Sequence, residues 1–239
     1  MKAWIAGCLL MLLPALARAE PLRLLTEEYP PYNFSGPEGP SGIAVEQVRL
    51  MMERAGIDYG IEIMPWARAF ADAGRDAGTC VFTTRHDAER HARFKWVEPL
   101  LVDRMIMIRR AGTAIAPETL EAAKAFTIGT QRDDTSASFL EENGFPHLDY
   151  AASMTLTLKK LVAGRIDLMM TSLKTYEKLH AEGHAIEPAL ALESGRYGLA
   201  CNLAIADDVI AGMQSALDGL IADGTQARIY ARYGLRAGD

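Results

Sequence analysis

Residues 126–182 read FTIGTQRDDTSASFLEENGFPHLDYAASMTLTLKKLVAGRIDLMMTSLKTYEKLHAE. Three short apolar runs in this stretch, Phe126–Gly129, Leu148–Tyr150 and Ile166–Thr171, have the composition of strands. Between and after them come Asp134–Asn143, Met154–Val162 and Leu173–Glu182, where apolar residues recur at helical spacing. Strands that alternate with helices build an α/β protein with mainly parallel sheets. The same alternation extends outward in both directions. Upstream lie strand Leu22–Thr26, helix Ile43–Ala55 ending at Gly56, and strand Tyr59–Met64. Helix Trp66–Ala73 follows Pro65, then strand Cys80–Thr84, a charged surface turn with a short helix over Arg85–Arg93, the long apolar run Leu100–Arg109 and helix Pro117–Lys124. Downstream lie strands Ala185–Leu192 and Tyr197–Ile205, then helices Asp208–Ala222 and Gln226–Tyr233. The Gly/Pro-rich segment 36–42 reads as loop, and the chain has no internal repeat.

Composition narrows the partners. The 239 residues are 49% hydrophobic, enough for one large or two small cores, and the net charge is −6. Without Lys2 and Arg18, the two cations of the first nineteen residues, it becomes −8. An acidic chain with no basic run is a poor match for nucleic acid or anionic lipid. Residues 1–19 are the reason to set those cations aside. Lys2 precedes an apolar core from Ile5 to Leu16, and Ala17-Arg18-Ala19 is a small-x-small cleavage signature before Glu20. This is a secretory signal peptide cleaved after Ala19, and it predicts a periplasmic protein. Two cysteines remain after cleavage, Cys80 and Cys201, compatible with one disulfide or with two buried thiols.

Motifs for phosphate binding, dinucleotide binding, serine hydrolysis and dithiol chemistry are absent. His180 and His184 are spaced to share a helix face, but Gly183 interrupts them and no third ligand is near in sequence, so they read as surface histidines. Neither a metal nor a cofactor is expected, and no catalytic pair stands out.

Polar groups instead gather where α/β proteins hold ligands, beyond the carboxyl ends of strands. After the first strand comes Glu27-Glu28-Tyr29-Pro30-Pro31-Tyr32, a stiff loop whose Tyr29 and Tyr32 either line a site or pack inward. After the strand at Cys80 come Thr83, Thr84 and Arg85, followed by Glu89 and Arg90, which suit a carboxylate or an ordinary salt-bridged surface. Residues 129–136, with Asp134, Thr135 and Ser136, open a helix whose free N–H groups attract an anion or are simply capped. Trp66 and Arg68 form a fourth element, with a core tryptophan as the alternative.

The order of several motifs resembles the bacterial extracellular solute-binding proteins, family 3. They are Tyr29-Pro30-Pro31-Tyr32, Gly42-Ile43-Ala44-Val45-Glu46, Thr84 to Arg90 leading into Phe94-Lys95-Trp96-Val97-Glu98-Pro99, Gly164-Arg165-Ile166-Asp167, and Asp223-Gly224-Thr225 before Tyr230-Ala231-Arg232-Tyr233-Gly234. The resemblance implies two α/β lobes, each a mainly parallel sheet flanked by helices, with a ligand cleft between them. Lobe I is then 20–101 plus 193–239, and lobe II is 102–192, joined by crossings at Leu100–Arg109 and Glu187–Ser194. It further implies a monomeric receptor for a small, carboxylate-bearing solute such as an amino acid, working with an ABC permease. Enzymes of the dehydratase type and receptors for a membrane signalling partner share the fold and are the alternatives.

In amino-acid binders of the family an arginine of lobe I and a helix start of lobe II hold the ligand carboxylate. Arg90 matches that position, although its spacing to Phe94 is short. Arg85 directly follows the strand and is the preferred anchor here, with Arg90 its rival. Where many members place an ammonium-binding aspartate this chain has Ser172, so Glu27 or Glu28 must supply the negative charge or the ligand is not an α-amino acid. The family topology also puts Cys80 and Cys201 in one lobe, which predicts their disulfide.

Overall fold

The computed structural model describes residues 20–235, so the signal peptide expected at 1–19, with its expected cleavage after Ala19, lies outside the described residues. The chain runs β1 (Leu22–Thr26), β2 (Phe34–Gly36), β3 (Gly39–Ser41), α1 (Ile43–Ala55), β4 (Tyr59–Ile63), α2 (Trp66–Arg75), β5 (Thr79–Arg85) and α3 (Ala88–His91). It continues with β6 (Lys95–Arg110), α4 (Leu120–Ala123), β7 (Ile128–Gln131), α5 (Thr135–Glu142), β8 (Leu148–Ala151), α6 (Met154–Val162), β9 (Leu168–Ser172) and α7 (Leu173–Ala181). The last elements are β10 (Ile186–Cys201), α8 (Asp207–Ala222) and α9 (Thr225–Arg232).

The strands β4-β1-β5-β10-β6-β9-β7-β8 lie in that order. Both outer trios are parallel, β1 between β4 and β5 and β7 between β8 and β9, as helical crossovers require. The two central strands, each 16 residues long, are antiparallel to one another and run through both halves. β6 pairs with β9 through Met105–Arg109, and β10 pairs with β5 through Tyr197–Cys201. The eight strands are therefore hydrogen-bonded in one series whose two halves, one in each lobe, are joined by the two crossing strands.

Local chemistry explains most element ends. Helix α1 buries Ile43, Val45, Val48, Met51 and Met52 and stops at Gly56, whose left-handed backbone (φ 67°) turns its N–H back to Glu53. Ser153, Asp134 and Thr119 cap their helices with side-chain oxygens. The Thr119 cap also shortens the helix expected from Pro117. Segment 36–42, expected as loop, contains the β2–β3 hairpin. The two strands expected at 185–192 and 197–205 are one strand, β10. Glu193-Ser194-Gly195-Arg196 break the apolar pattern, yet the backbone of Ser194, Gly195 and Arg196 pairs with Arg104, Asp103 and Val102 of β6, and three register shifts absorb the irregularity.

Hydrophobic cores back each sheet. Leu24, Phe82 and Leu100 pack with α1 and with Leu217, Leu220 and Ile229 of the returning helices α8 and α9. Trp66 and Phe70 of α2 pack with Phe94, and in the other lobe Ile106, Leu158, Leu161 and Ile166 cluster. Cys80 and Cys201 are directly paired across β5 and β10, fully buried, and bonded to each other.

Gly42 fixes how the loop after β1 meets α1. Its φ is +120°, and a Cβ there would stand 2.3 Å from the Tyr32 carbonyl oxygen. Gly42→Ala adds a backbone clash to a conformation that L-residues avoid, so a loss of about 2 kcal/mol or more is expected. Urea unfolding of the variant checks this, and an unchanged midpoint would refute it.

Candidate functional site

The cleft between the lobes is walled by the loop after β1, by α2 and α3 of lobe I, and by the starts of α5 and α7 of lobe II. Asp87 caps α3, accepting the Arg90 backbone N–H at 2.9 Å, while its second oxygen lies 3.7 Å from the Arg90 Nε. This holds the Arg90 side chain inward at 2% exposure, with its guanidinium over the Phe70 ring at 4.7 Å and near Trp66 at 5.8 Å. The guanidinium donates across the cleft, through Nη1 to the Thr135 hydroxyl and through Nη2 to the Asp133 carbonyl at 3.2 Å. The indole N–H of Trp66 donates to the same carbonyl at 2.7 Å. Asp133 occupies the left-handed region (φ 58°), a strained turn directly before α5.

Asp134 caps α5, accepting the Ser136 N–H at 2.7 Å and the Ser136 hydroxyl at 2.6 Å. Beside it is a small cavity of about 30 Å3, room for roughly one or two waters. Glu27, Tyr29, Gln131, Asp134 and Ser136 supply its polar wall, and the thioethers of Met105, Met154, Met169 and Met170 supply the apolar one. Glu27 is buried and accepts from the Gln131 amide at 2.6 Å, another bond between lobes. A further one runs from the Thr175 hydroxyl to the Pro30 carbonyl at 3.2 Å.

Burial drives the Glu27 carboxyl from its ordinary 4.5 up to about 8, with the Asp134 charge pushing the same way and the Gln131 hydrogen bond opposing. Glu27 in the closed cleft therefore holds a proton at neutral pH. A carboxyl whose pKa rises on folding stabilises the folded state fully below the unfolded value. That contribution is lost as pH climbs through about 8. Parent protein should lose stability relative to Glu27→Gln across this window, by up to about 1.4 kcal/mol per pH unit. Parallel curves of Tm against pH for the two proteins would contradict it.

Among the expected residues, Glu27, Tyr29, Asp134 and Ser136 meet at the cavity, and Trp66, Arg90 and Thr135 meet at the cleft. The others stand elsewhere. Glu28 is exposed and accepts the Ser35 N–H at 3.0 Å. Arg68 is an exposed partner of Asp72 at 3.8 Å. Thr84 is buried and bonds the Val81 carbonyl at 3.2 Å. Thr83, with φ 62°, donates to Asn33 at 2.5 Å within a bulge of β5. Tyr32 is buried and donates to Asp103, a carboxyl on β6 that burial pushes above its ordinary value. Ser172 caps α7 and donates to Thr175 at 3.0 Å. Arg85 makes no hydrogen bond to the start of α5. Its guanidinium lies against Gly195 of the crossing strand.

Gln131 was legible only as part of the 129–136 cluster, while Asp103 and the four methionines gave no sequence signal. They lie within apolar runs or ordinary strands, and their role depends on register alone. Among the described residues there is no cluster of three or more metal-ligating acidic, histidine or cysteine side chains, and no helix is long and apolar enough to cross a membrane.

Several solved structures share this architecture. A histidine kinase sensor domain with similarity to periplasmic binding proteins superposes with a TM-score of 0.81 at 21% identity, covering 90% of this chain and 96% of its own. The arginine-, lysine-, histidine-binding protein ArtJ from Geobacillus stearothermophilus also scores 0.81, at 18% identity, covering 92% and 97%. An ancestral amino-acid-binding protein, a precursor of cyclohexadienyl dehydratase, scores 0.76 at 16% identity, covering 89% and 94%. At these identities the likeness speaks for the fold. A comparison with curated protein sequences found no match. The family model for bacterial extracellular solute-binding proteins, family 3, matches residues 22–236 of the 239. The chain belongs to that family.

Proposed function

We propose that this protein is a periplasmic receptor that closes its lobes on a small solute bearing a carboxylate and passes it to an ABC importer. One observation carries the reading: Arg90 of one lobe, buried and charged, reaches the start of α5 in the other. A carboxylate entering there would exchange the bonds of Arg90 to Thr135 and Asp133 for its own, and the free N–H groups of α5 would face it. Glu27 and Asp134 beside it suit a cationic group on the same solute. A cation held there would draw Glu27 back to its charged form, so binding at neutral pH would release a proton. The hinge in this reading lies where β6 and β10 cross, near 101–104 and 193–196, with lobe I as 20–101 plus 193–239 and lobe II as 102–192.

The test is to purify the exported protein, release its bound small molecules by denaturation and identify them by mass spectrometry. A carboxylate solute that rebinds the stripped protein unchanged is expected, and a solute without any anionic group would overturn the reading. Glu27 also favours a second reading. A carboxyl holding its proton at pH 7 is equipped as a general acid, as a dehydratase acting on a carboxylate would need. Recovery of a chemically altered solute after incubation would favour the enzyme.

A further inference from the structure

Arg85 is a candidate anion ligand that the cleft leaves unused, and its surroundings form a site of their own. The residue ends β5, half-buried, and among the described residues its guanidinium has no hydrogen bond and no ion pair. It stands at the edge of a groove of about 580 Å3 whose wall is mostly apolar: Leu120, Phe139, Met170, Leu190 and Leu192, with Glu193 at its rim. That volume falls within the roughly 300–1,000 Å3 of small-molecule sites and far exceeds the closed cavity beside Glu27. Glycine at 195 makes the placement possible. A Cβ on Gly195 would lie 2.7 Å from the Arg85 Nε and 2.9 Å from its Cζ, so any side chain there would displace the guanidinium. Glu193 also borders the groove, but it is exposed and makes no ion pair with Arg85.

We infer that this groove is a second ligand subsite, one that takes a monocarboxylate with an apolar, aryl or branched-alkyl body. The charge pattern selects that class: one unpaired guanidinium for a carboxylate, and a run of leucine, phenylalanine and methionine side chains for the body. A zwitterion's ammonium would find there only Glu193, exposed to solvent at the rim. A neutral hydrocarbon would leave Arg85 without an anion. The subsite shares Met170 with the cavity wall but uses neither Arg90 nor the start of α5. It stands independently of the solute proposed for the cleft.

Calorimetric titration with 3-phenylpropionate tests it, with 3-phenylpropionamide as the neutral counterpart. The parent should bind the acid at least about tenfold more tightly than the amide, the worth of a charge-assisted hydrogen bond. Arg85→Gln should weaken the acid by a similar factor, and Leu192→Glu, which sets a carboxylate in the groove, should do the same while leaving the thermal melt in place. Arg90→Gln should bind the acid as the parent does. No binding to the parent, equal binding of acid and amide, or unchanged binding to Arg85→Gln would each overturn the inference. So would a loss in Arg90→Gln, since the acid would then occupy the cleft. None of these outcomes bears on the solute identified by mass spectrometry, so the two readings fail separately.

Discussion

Replacing Cys80 and Cys201 together with alanine, or reducing the bond between them, is expected to cost about 5 kcal/mol of stability. The bridge spans 121 residues, and the loop it closes in the unfolded chain sets that figure in the chain-entropy model. The effect resides mostly in the unfolded state, because the cysteines occupy directly paired, buried positions in β5 and β10 and the fold already brings them together. The consequence for the fold is specific. β10 returns from lobe II, and the helices that follow it, α8 and α9, cover the core shared with α1. The bridge fastens that return to the strand laid down before either crossing. Urea titrations of oxidised protein and of protein kept in dithiothreitol should separate accordingly. Coincident curves would contradict the prediction, as would two alkylatable thiols in oxidised, denatured protein.

The largest effect on binding is expected at Arg90. Arg90→Ala should weaken the solute recovered from the cleft by about 2–5 kcal/mol, or roughly 30- to 5,000-fold, because the ligand anion would be left buried without its cation. Arg85→Ala should leave that affinity near the parental value. Removing Arg90 also removes its stacking on Phe70, so a thermal melt must accompany the titration. A variant that melts like the parent and binds like the parent would remove Arg90 from the site. Sequence alone ranks these two arginines the other way, since Arg85 directly follows a strand of threonines and Arg90 sits in a charged run. The run is solvated except at this position. Asp87 starts a one-turn helix there, and the turn carries Arg90 under Phe70 instead of into water.

Two further contacts depend on the assembled fold in the same way. Glu27 and Glu28 are neighbours of one type, yet Glu27 lies buried against Gln131 while Glu28, exposed, accepts the Ser35 N–H of β2. Alternation along the loop guarantees that only one of them faces the cleft, but it does not say which. Tyr32 carries its hydroxyl to Asp103 on a strand 71 residues later, a contact that follows from strand order and from nothing near Tyr32 in the chain.

Short-range physics was enough for much of the molecule. Apolar periodicity placed the strands and helices, Gly56 and the Asp134 side chain marked helix ends, and the resemblance carried by ordered motifs implied two lobes and one disulfide. These depend on interactions within about a dozen residues, which the chain writes down directly, or on motif order, which survives great divergence. Three further features required the assembled sheets: which arginine meets α5, which glutamate enters the cavity, and the union of residues 186–201 into one crossing strand. Each depends on how backbone from distant segments pairs. Register between strands is set by the sum of many contacts over the whole sheet, and no single stretch of sequence contains that sum.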